Sequence, residues 1–416
     1  MTTIDLTNLP AFIKTVKKGD YTIRTIESEY LSNFDLTMRI FRSLITNKNN
    51  DIVSIAPAKS LPNDDFFRAC REYRGPNVSQ VRTTEIIEGT MINLFWDTDK
   101  WEIATKKSVG CNYHFFRNQY FPGLPELEQK TFKQMFLDGI GQHETVGDFA
   151  NSLNLSKNRC YSFVMQHPSN HIVVPVVAPA VYLVSCYDII SGENASYKYI
   201  DVFTIKSLFS GTNVKFPRFF NDMIDPHAPI ELSFLDQENR IYLVGQETNI
   251  VDYINNLMQN PLNSYRIPGI MVTHTETGLR TSYTNDKYAE IKLLRGNNPN
   301  LHYQYLVLRK IQKDADFIRY FPQYRAHFAK FREHFEACAT RIHRLYLNVH
   351  VLKITTLDAI EDKRDKYHIE KLHFEHYIPA LKLFKAALAD EALVKPKVTR
   401  KMVIQYLDGE NIIAPM

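Results

Sequence analysis

The chain has 416 residues, of which 44% are hydrophobic and 23% are charged, and its formal net charge is +4. This length exceeds the size at which a single core stops growing, so two or three domains are expected. The composition excludes a chain dominated by disorder. The small positive charge permits a polyanionic partner without requiring one.

Cysteine usage and hydropathy predict the compartment. The cysteines are odd in number and far apart, with no close pair of the metal-binding type. They are Cys70, Cys111, Cys160, Cys186 and Cys338. We therefore expect reduced thiols in an intracellular, cytoplasmic protein. No membrane partner is expected, because the amino terminus lacks a signal-peptide pattern and no apolar stretch has the length of a membrane span.

The first half of the chain alternates between helical and strand-like patterns. Residues 1–50 are predicted to be a helical segment packed on the body, because apolar positions in 33–47 have helical spacing. Residues 51–120 contain short runs rich in β-branched and aromatic residues, and WDTDKW (96–101) is predicted to be a hairpin turn. Residues 125–155 are predicted to be helices. The Val-rich run 172–190 is predicted to form consecutive buried strands.

The second half changes character near residue 312. Strands are predicted from 160 to about 310, with one helix at 248–259 that Thr248 caps. A long amphipathic helix follows, with apolar residues at steps of three and four from Phe321 to Val349, and further helices are predicted at 367–388 and 399–407. The predicted organisation is a helical segment at 1–50, an α+β domain at 51–311 and a helical domain at 312–416.

The segment EIIEGT (85–90) contains the spacing that bears on catalysis. Within it, Glu88 and Gly89 follow a strand-like run, and residue 86 lies two positions before the carboxylate. Side chains two apart in a strand face the same side, so a lysine at 86 would share a pocket with Glu88. A lysine at that spacing is the nucleophile with which some enzymes attach a nucleotide to themselves. Here the residue is Ile86.

The wider pattern resembles a known family. EGTMINLFW followed by WEIATKKSVG resembles the first adenylation motif of RNA ligases of the bacteriophage type. CYSFVMQHPSNHIVV (160–174) resembles their third motif, and RIPGIMVTHTETGLRTSYTNDKYAEIKLLRG (266–296) resembles their fourth and fifth. The order and spacing are most similar to RNA-ligase-like nucleotidyltransferases of large DNA viruses. Three departures stand out: Ile86 replaces the lysine, Pro268 replaces a glutamate, and the carboxylate of the third motif is not evident in FVMQHP (163–168).

The resemblance implies a ligase-type α+β nucleotidyltransferase domain, with antiparallel sheets around a cleft, and an all-helical carboxyl-terminal domain. It implies an ATP-dependent RNA ligase that uses Mg²⁺ and a lysyl-AMP intermediate. Lys59 lies in a proline-flanked loop after a strand-like run. If that strand pairs beside the one that carries Glu88, Lys59 is the candidate substitute nucleophile. A solvated lysine in a turn is the alternative. The predicted nucleotide-binding residues are Glu88, Gly89, Thr90, Lys106, Lys287 and Lys292.

RNA is the predicted partner. The basic residues expected to contact it are Arg295, Arg332, Arg341 and Arg344, although a solvated helix face would explain them equally well. Loss of the usual lysine and of two carboxylates supports an alternative, a catalytically inactive ligase-fold protein that serves as a nucleic-acid-binding or scaffold component. A metal-dependent hydrolase centred on His368, His373 and His376 is a third hypothesis. No carboxylate completes a recognised ligand set with these histidines, so the sequence itself predicts no metal site.

Overall fold

The computed structural model describes residues 2–6, 9–26, 38–72, 80–115, 130–192, 195–219, 233–235, 241–242, 265–386 and 396–409. The chain divides into two compact units, residues 1–115 with 128–293 and residues 116–127 with 294–416. The units divide between Leu293 and Leu294, and the predicted domain boundaries at residues 50 and 311 remain predictions. The helix expected at 248–259 lies outside the described residues.

Unit 1 is built on three sheets in which neighbouring main strands run antiparallel. Its described strands are β1 Thr2–Thr3, β2 Ile13–Lys18, β3 Tyr21–Ile26, β4 Leu44–Thr46, β5 Ile52–Ile55, β6 Gln80–Glu85, β7 Thr90–Asp97, β8 Lys100–Thr105, β9 Ser108–Val109, β10 Arg159–Gln166, β11 Ala180–Ile190, β12 Ser196–Ile200, β13 Val214–Lys215, β14 Ser233–Leu235, β15 Ile241–Tyr242, β16 Gly269–His274 and β17 Arg280–Thr284. The large sheet has the order β1-β12-β11-β10-β7-β8-β9, and β13 joins β11 in parallel. The other two have the orders β15-β14-β6-β16-β17 and β2-β3-β4-β5.

The helices of the described chain are more numerous after residue 285. They are α1 Asn63–Glu72, α2 Phe132–Ile140, α3 Val146–Ser152, α4 Asp286–Arg295, α5 Leu301–Lys310, α6 Asp314–Tyr320, α7 Arg325–Tyr346, α8 Lys363–Lys371, α9 Ile378–Ala386 and α10 Arg400–Gly409. The predicted α+β class, with antiparallel sheets and a helical carboxyl-terminal region, is therefore confirmed. Within the described residues, no helix is both long and apolar enough to cross a membrane.

The large sheet is covered on both faces because side chains alternate along its strands. Ile92 and Leu94 of β7 pack with Phe136 of α2 and Phe149 of α3. Phe95 faces the other way and packs with the core of the four-stranded sheet. Helices α2 and α3 both begin with capping boxes, which satisfy amide groups of the first turn. The helices predicted within 125–155 are confirmed where that segment is described.

The hairpin predicted at 96–101 is confirmed, since β7 and β8 pair from Asn93 with Ala104 to Asp97 with Lys100. The helix predicted at 33–47 is wrong in its described part. Residues 38–42 form a 3-10 turn, and β4 lies between β3 and β5 with Leu44 and Ile45 fully buried. Residues 13–26, also inside the segment predicted as helical, form a β-hairpin. Pairing with neighbouring strands outweighs the local helical spacing there.

The apolar run 172–190 contains one strand rather than several. Strand β11 begins at Ala180, and Val177 ahead of it is 98% exposed. The two prolines of the run, Pro175 and Pro179, lie in this irregular part. Because proline lacks an amide donor, it is disfavoured inside a sheet. The prediction of consecutive strands is therefore wrong for the first part of the run.

Unit 2 contains the long helix that the aromatic spacing predicts. Helix α7 runs from Arg325 to Tyr346, and its stripe from Phe328 to Ile342 is buried. Phe317 of α6 stacks on Phe328 at a centroid distance of 4.7 Å. The predicted stripe shifts by one residue at its end, where Tyr346 is buried in place of Leu345. The helices expected at 367–388 and 399–407 are present as α8, α9 and α10, with a π-helical turn, Leu372–Tyr377, between α8 and α9.

Candidate functional site

Glu88 lies in the segment that connects two sheets. Residues 86–89 follow β6 of the five-stranded sheet and precede β7 of the large sheet. The Glu88 side chain is only 7% exposed. Its Oε1 accepts the backbone N–H groups of Val173 and Val174 at 3.0 and 2.9 Å. Its Oε2 is buried without a hydrogen-bond partner in the described structure. A buried carboxylate oxygen in this state costs free energy until a donor reaches it.

The last residue of β10 and the turn after it hold this region in place. The Gln166 side-chain amide donates to the Glu88 carbonyl at 2.8 Å, and the Asn170 amide donates to the Thr90 hydroxyl at 2.8 Å. Sequence reasoning missed both Gln166 and Asn170. The only available signal was two amide side chains in the turn that follows a strand, which is a common feature of loops.

Gly89 is required by the fold itself. Its φ is +157°, and a Cβ at this position would lie 2.3 Å from the Met165 carbonyl oxygen. We expected this glycine to admit a ligand close to the backbone, but its nearest neighbour is strand β10. The first-motif segment is therefore fixed by packing between the two strands.

Ile86 occupies the position at which the resemblance predicts a nucleophilic lysine. Its backbone N–H donates to the Gly269 carbonyl at 2.9 Å, next to Pro268. Residues 86–88 are not part of a strand, so the expectation that positions 86 and 88 face one side of a strand is wrong. Strand β6 of the five-stranded sheet ends at Glu85, and the chain then crosses to β7 of the large sheet.

Lys59 does not meet the conditions set for a substitute nucleophile. Its strand, β5, pairs with β4 in the four-stranded sheet and not with β7 among the described strands. The side chain is exposed, so it lacks the desolvation that activates a lysine amine. The described structure therefore fits the alternative interpretation of a solvated lysine.

Lys106 lies in the turn between β8 and β9, directly after the strand that ends at Thr105. Because Asn93 is paired with Ala104, this turn is at the same end of the β7–β8 pair as Glu88. Both Lys106 and Lys107 are exposed. Lys106 remains a cation near the Glu88 end of the sheet.

Lys287 and Lys292 lie on helix α4 and not on the lysine-bearing strand that we expected. The Asn285 side chain accepts the Lys287 N–H at 2.9 Å, which caps the helix start. Lys287 pairs with Glu290 at 2.6 Å, and Lys292 is exposed with its amine 5.4 Å from the centroid of the Tyr288 ring. The strand that follows β16 in the chain and pairs with it is β17.

The four arginines predicted to contact RNA differ in whether their charge is paired. Arg332 pairs with Asp314 at 2.9 Å, and Arg341 pairs with Asp365 at 2.9 Å. Arg295 is only 7% exposed. Arg344 is exposed and forms no ion pair with any described residue. Of the four predicted RNA contacts, Arg344 is the one whose charge is available at the surface.

The histidines of unit 2 have aromatic partners. His368 hydrogen-bonds the Tyr406 hydroxyl at 2.9 Å. His373 hydrogen-bonds Tyr346 at 3.2 Å and stacks on His350 with ring centroids 3.9 Å apart. In the described part of the chain, no group of three or more His, Cys, Asp or Glu side chains is placed to hold a metal ion.

Comparison with known proteins gives a viral relative and several ligases. The chain is 24% identical over 246 residues to an immediate-early protein ICP-46 homolog of Invertebrate iridescent virus 3, a match that covers 58% of this chain and 43% of the relative. The chain therefore spans less than half the length of that relative. No family model matches.

Among solved structures, an archaeal ATP-dependent RNA ligase has 10% identity and a TM-score of 0.39, with 95% of this chain and 92% of that chain covered. A mutant RNA ligase of Naegleria gruberi with ATP and Mn has 11% identity and a TM-score of 0.30, with 55% of each chain covered. These TM-scores lie below 0.5, so the activities of these ligases are not transferred to this chain.

Proposed function

We propose that the chain is an RNA-ligase-like protein that binds an adenine nucleotide on unit 1 without forming a lysyl-AMP intermediate. The observation that carries this proposal is the unpartnered Oε2 of Glu88, two residues after Ile86. A ribose hydroxyl is a neutral donor that would satisfy this oxygen. Ile86 has no amine with which to attack a phosphate. The protein would therefore serve as the RNA-binding or scaffold component described above as the alternative.

The residues fit ATP better than they fit a metal held by the protein. Glu88 would hold the sugar, and Thr90 and Lys106 lie at the same end of the strand pair. Mg²⁺ usually keeps several waters and binds through substrate phosphates with few protein ligands. It would therefore arrive with ATP, where it would shield the charge of the phosphates.

Equilibrium titration of the full chain with ATP tests the role of Glu88. Glu88→Gln keeps one acceptor oxygen but places an amide where the sugar hydroxyl is expected to donate. We expect it to weaken ATP binding about tenfold, as for a lost hydrogen bond to a charged group. Glu144→Gln removes an exposed carboxylate of the same unit and is the matched control. Equal ATP affinity for Glu88→Gln and the wild type would remove Glu88 from the nucleotide site.

Adenylation through Lys59 is a second candidate function. It is favoured by one contact, the hydrogen bond at 3.2 Å from Arg39 to the Lys59 carbonyl, which puts a cation next to this loop. An ATP-labelled peptide that contains Lys59, and loss of the label in Lys59→Ala, would support it. Nucleotide binding without a covalent label would exclude it.

A further inference from the structure

Three arginines from distant parts of unit 1 converge on the backbone of residues 57–60. Arg280 donates through Nε to the carbonyl of residue 58 at 2.9 Å and through Nη2 to that of residue 57 at 3.4 Å. Arg42 donates through Nη1 to the carbonyl of residue 57 at 3.3 Å. Arg39 donates to the carbonyls of residues 59 and 60, each at 3.2 Å. The segment is thus surrounded by guanidinium groups.

Arg42 and Arg280 are two positive charges without a counterion in the described structure. Neither forms an ion pair with a described carboxylate, whereas Arg82 pairs with Asp201 at 2.7 Å. Burial and the like charge of Arg280 lower the pKa of Arg42 to about 10, although Tyr187 opposes the shift. Burial also lowers the pKa of Arg280. Adjacent buried cations of this kind are costly unless an anion compensates them.

Both guanidinium groups have hydrogen-bonding capacity left. A guanidinium has five N–H donors, of which the backbone contacts use one in Arg42 and two in Arg280. Arg42 and Arg280 are half-buried as whole residues, and Lys59 on the same loop is exposed. Several charged donors therefore remain for a ligand with multiple oxygen acceptors.

We propose that Arg42 and Arg280 form a binding site for a phosphate group. Phosphate supplies the negative charge that the described carboxylates do not, and its oxygens match the fork geometry of a guanidinium. The phosphate would belong to the polyphosphate of a nucleoside triphosphate or to the 5′ end of an RNA. Lys59, which lies on the same loop, would add a third cation.

This site is separate from the carboxylate of Glu88. On β16, Gly269 bonds to Ile86 and Thr273 pairs with Arg280. Gly269 and Thr273 are four residue steps apart along β16, or about 13 Å at 3.3 Å per residue. The phosphate site can thus exist whether or not Glu88 holds a nucleotide, and the two proposals can fail independently.

The test is calorimetric titration of the full chain with inorganic pyrophosphate, without Mg²⁺ and at low salt. We expect binding to the wild type and a loss of affinity of about tenfold or more in Arg42→Gln and in Arg280→Gln. Lys17→Gln removes one exposed charge of the same unit and should change the affinity by less than about twofold. Unchanged affinity in the arginine variants, or no binding to the wild type, would overturn the proposal.

The arginines also hold the loop, so thermal unfolding of each variant must show a folded protein. If the glutamine variants do not fold, Arg42→Lys and Arg280→Lys retain the charge but lose the fork. Losses of about threefold or more in these variants would support the site, and wild-type affinity would contradict it. The source of the phosphate is identified by comparing the affinity for ATP with that for adenosine, and the affinity for 5′-phosphorylated RNA with that for 5′-hydroxyl RNA. The ligand of this site is the phosphorylated compound that binds the wild type more tightly than its unphosphorylated counterpart does and loses this difference in affinity in Arg280→Gln.

Discussion

Gly89→Ala should destabilise unit 1 strongly, because the added Cβ has no space. The Cβ would lie 2.3 Å from the Met165 carbonyl oxygen and 2.7 Å from Cγ1 of Val164. Even a close C–H···O contact needs about 3.3–3.6 Å, so the strands must separate by about 1 Å. Overpacking of this kind costs about 1–3 kcal/mol, and the glycine-type φ of +157° adds about 1–3 kcal/mol. We expect a loss of about 4 kcal/mol.

The assay is urea unfolding followed by tryptophan fluorescence. The chain has two tryptophans, and both lie on the β7–β8 hairpin, so the signal reports on unit 1. Gly211→Ala is the matched control, because Gly211 has a φ of +79° but no atom within 4 Å of an added Cβ. It should cost only about 1–2 kcal/mol. If Gly89→Ala costs no more than Gly211→Ala, the close approach of β7 and β10 at this point is wrong.

Three further predictions concern charge. Arg344→Gln should weaken binding of a short RNA and reduce its salt slope by about one, whereas Arg332→Gln, whose charge is already paired, should change neither, as two-salt titration would show. Burial lowers the pKa of His302 to about 4, so the unfolded chain gains its proton near pH 6.5 while the folded chain does not. Stability should be complete above pH 6.5 and fall towards pH 4. After a discount for partial exposure, His302 should account for about 2 kcal/mol of that loss, so urea unfolding of His302→Gln at pH 7 and pH 4.5 should show a smaller difference than the wild type. Asp201→Asn removes the carboxylate that pairs with the largely buried Arg82, and it should lower the free energy of unfolding by about 3 kcal/mol, measured from the urea midpoint. Equal midpoints for Asp201→Asn and the wild type would show that this pair is dispensable.

Local patterns were sufficient where local physics decides the structure. The hairpin at 96–101 has a polar turn between aromatic runs, and the Phe spacing from 321 to 342 fixes the buried face of α7. The segment around 44–46 was mispredicted because its full burial depends on strands β3 and β5, which its own residues do not reveal. Sequence spacing cannot distinguish a buried central strand from a short buried helix.

The candidate site was predictable only in part. The sequence draws attention to Glu88, but its carboxylate is held through Oε1 by the amides of Val173 and Val174, 85 and 86 residues away, which leaves Oε2 without a partner. The lysine-bearing motif was placed on Lys292 because of its local context, but Lys292 lies on helix α4, whereas Arg280 lies on β17, the strand that follows β16 and pairs with it. Arg42 and Arg280 meet only through tertiary structure, and no local pattern connects them.

The most direct test of the proposed function is incubation of the folded full chain with α-labelled ATP and Mg²⁺, with each sample divided in two. One half is assayed by native filter retention and the other by denaturing electrophoresis. We expect the label to be retained on the native protein and lost on denaturation, because Ile86 has no amine to hold AMP covalently. An acid-labile label that survives denaturation and maps to a lysine would contradict the proposal and establish an adenylating enzyme.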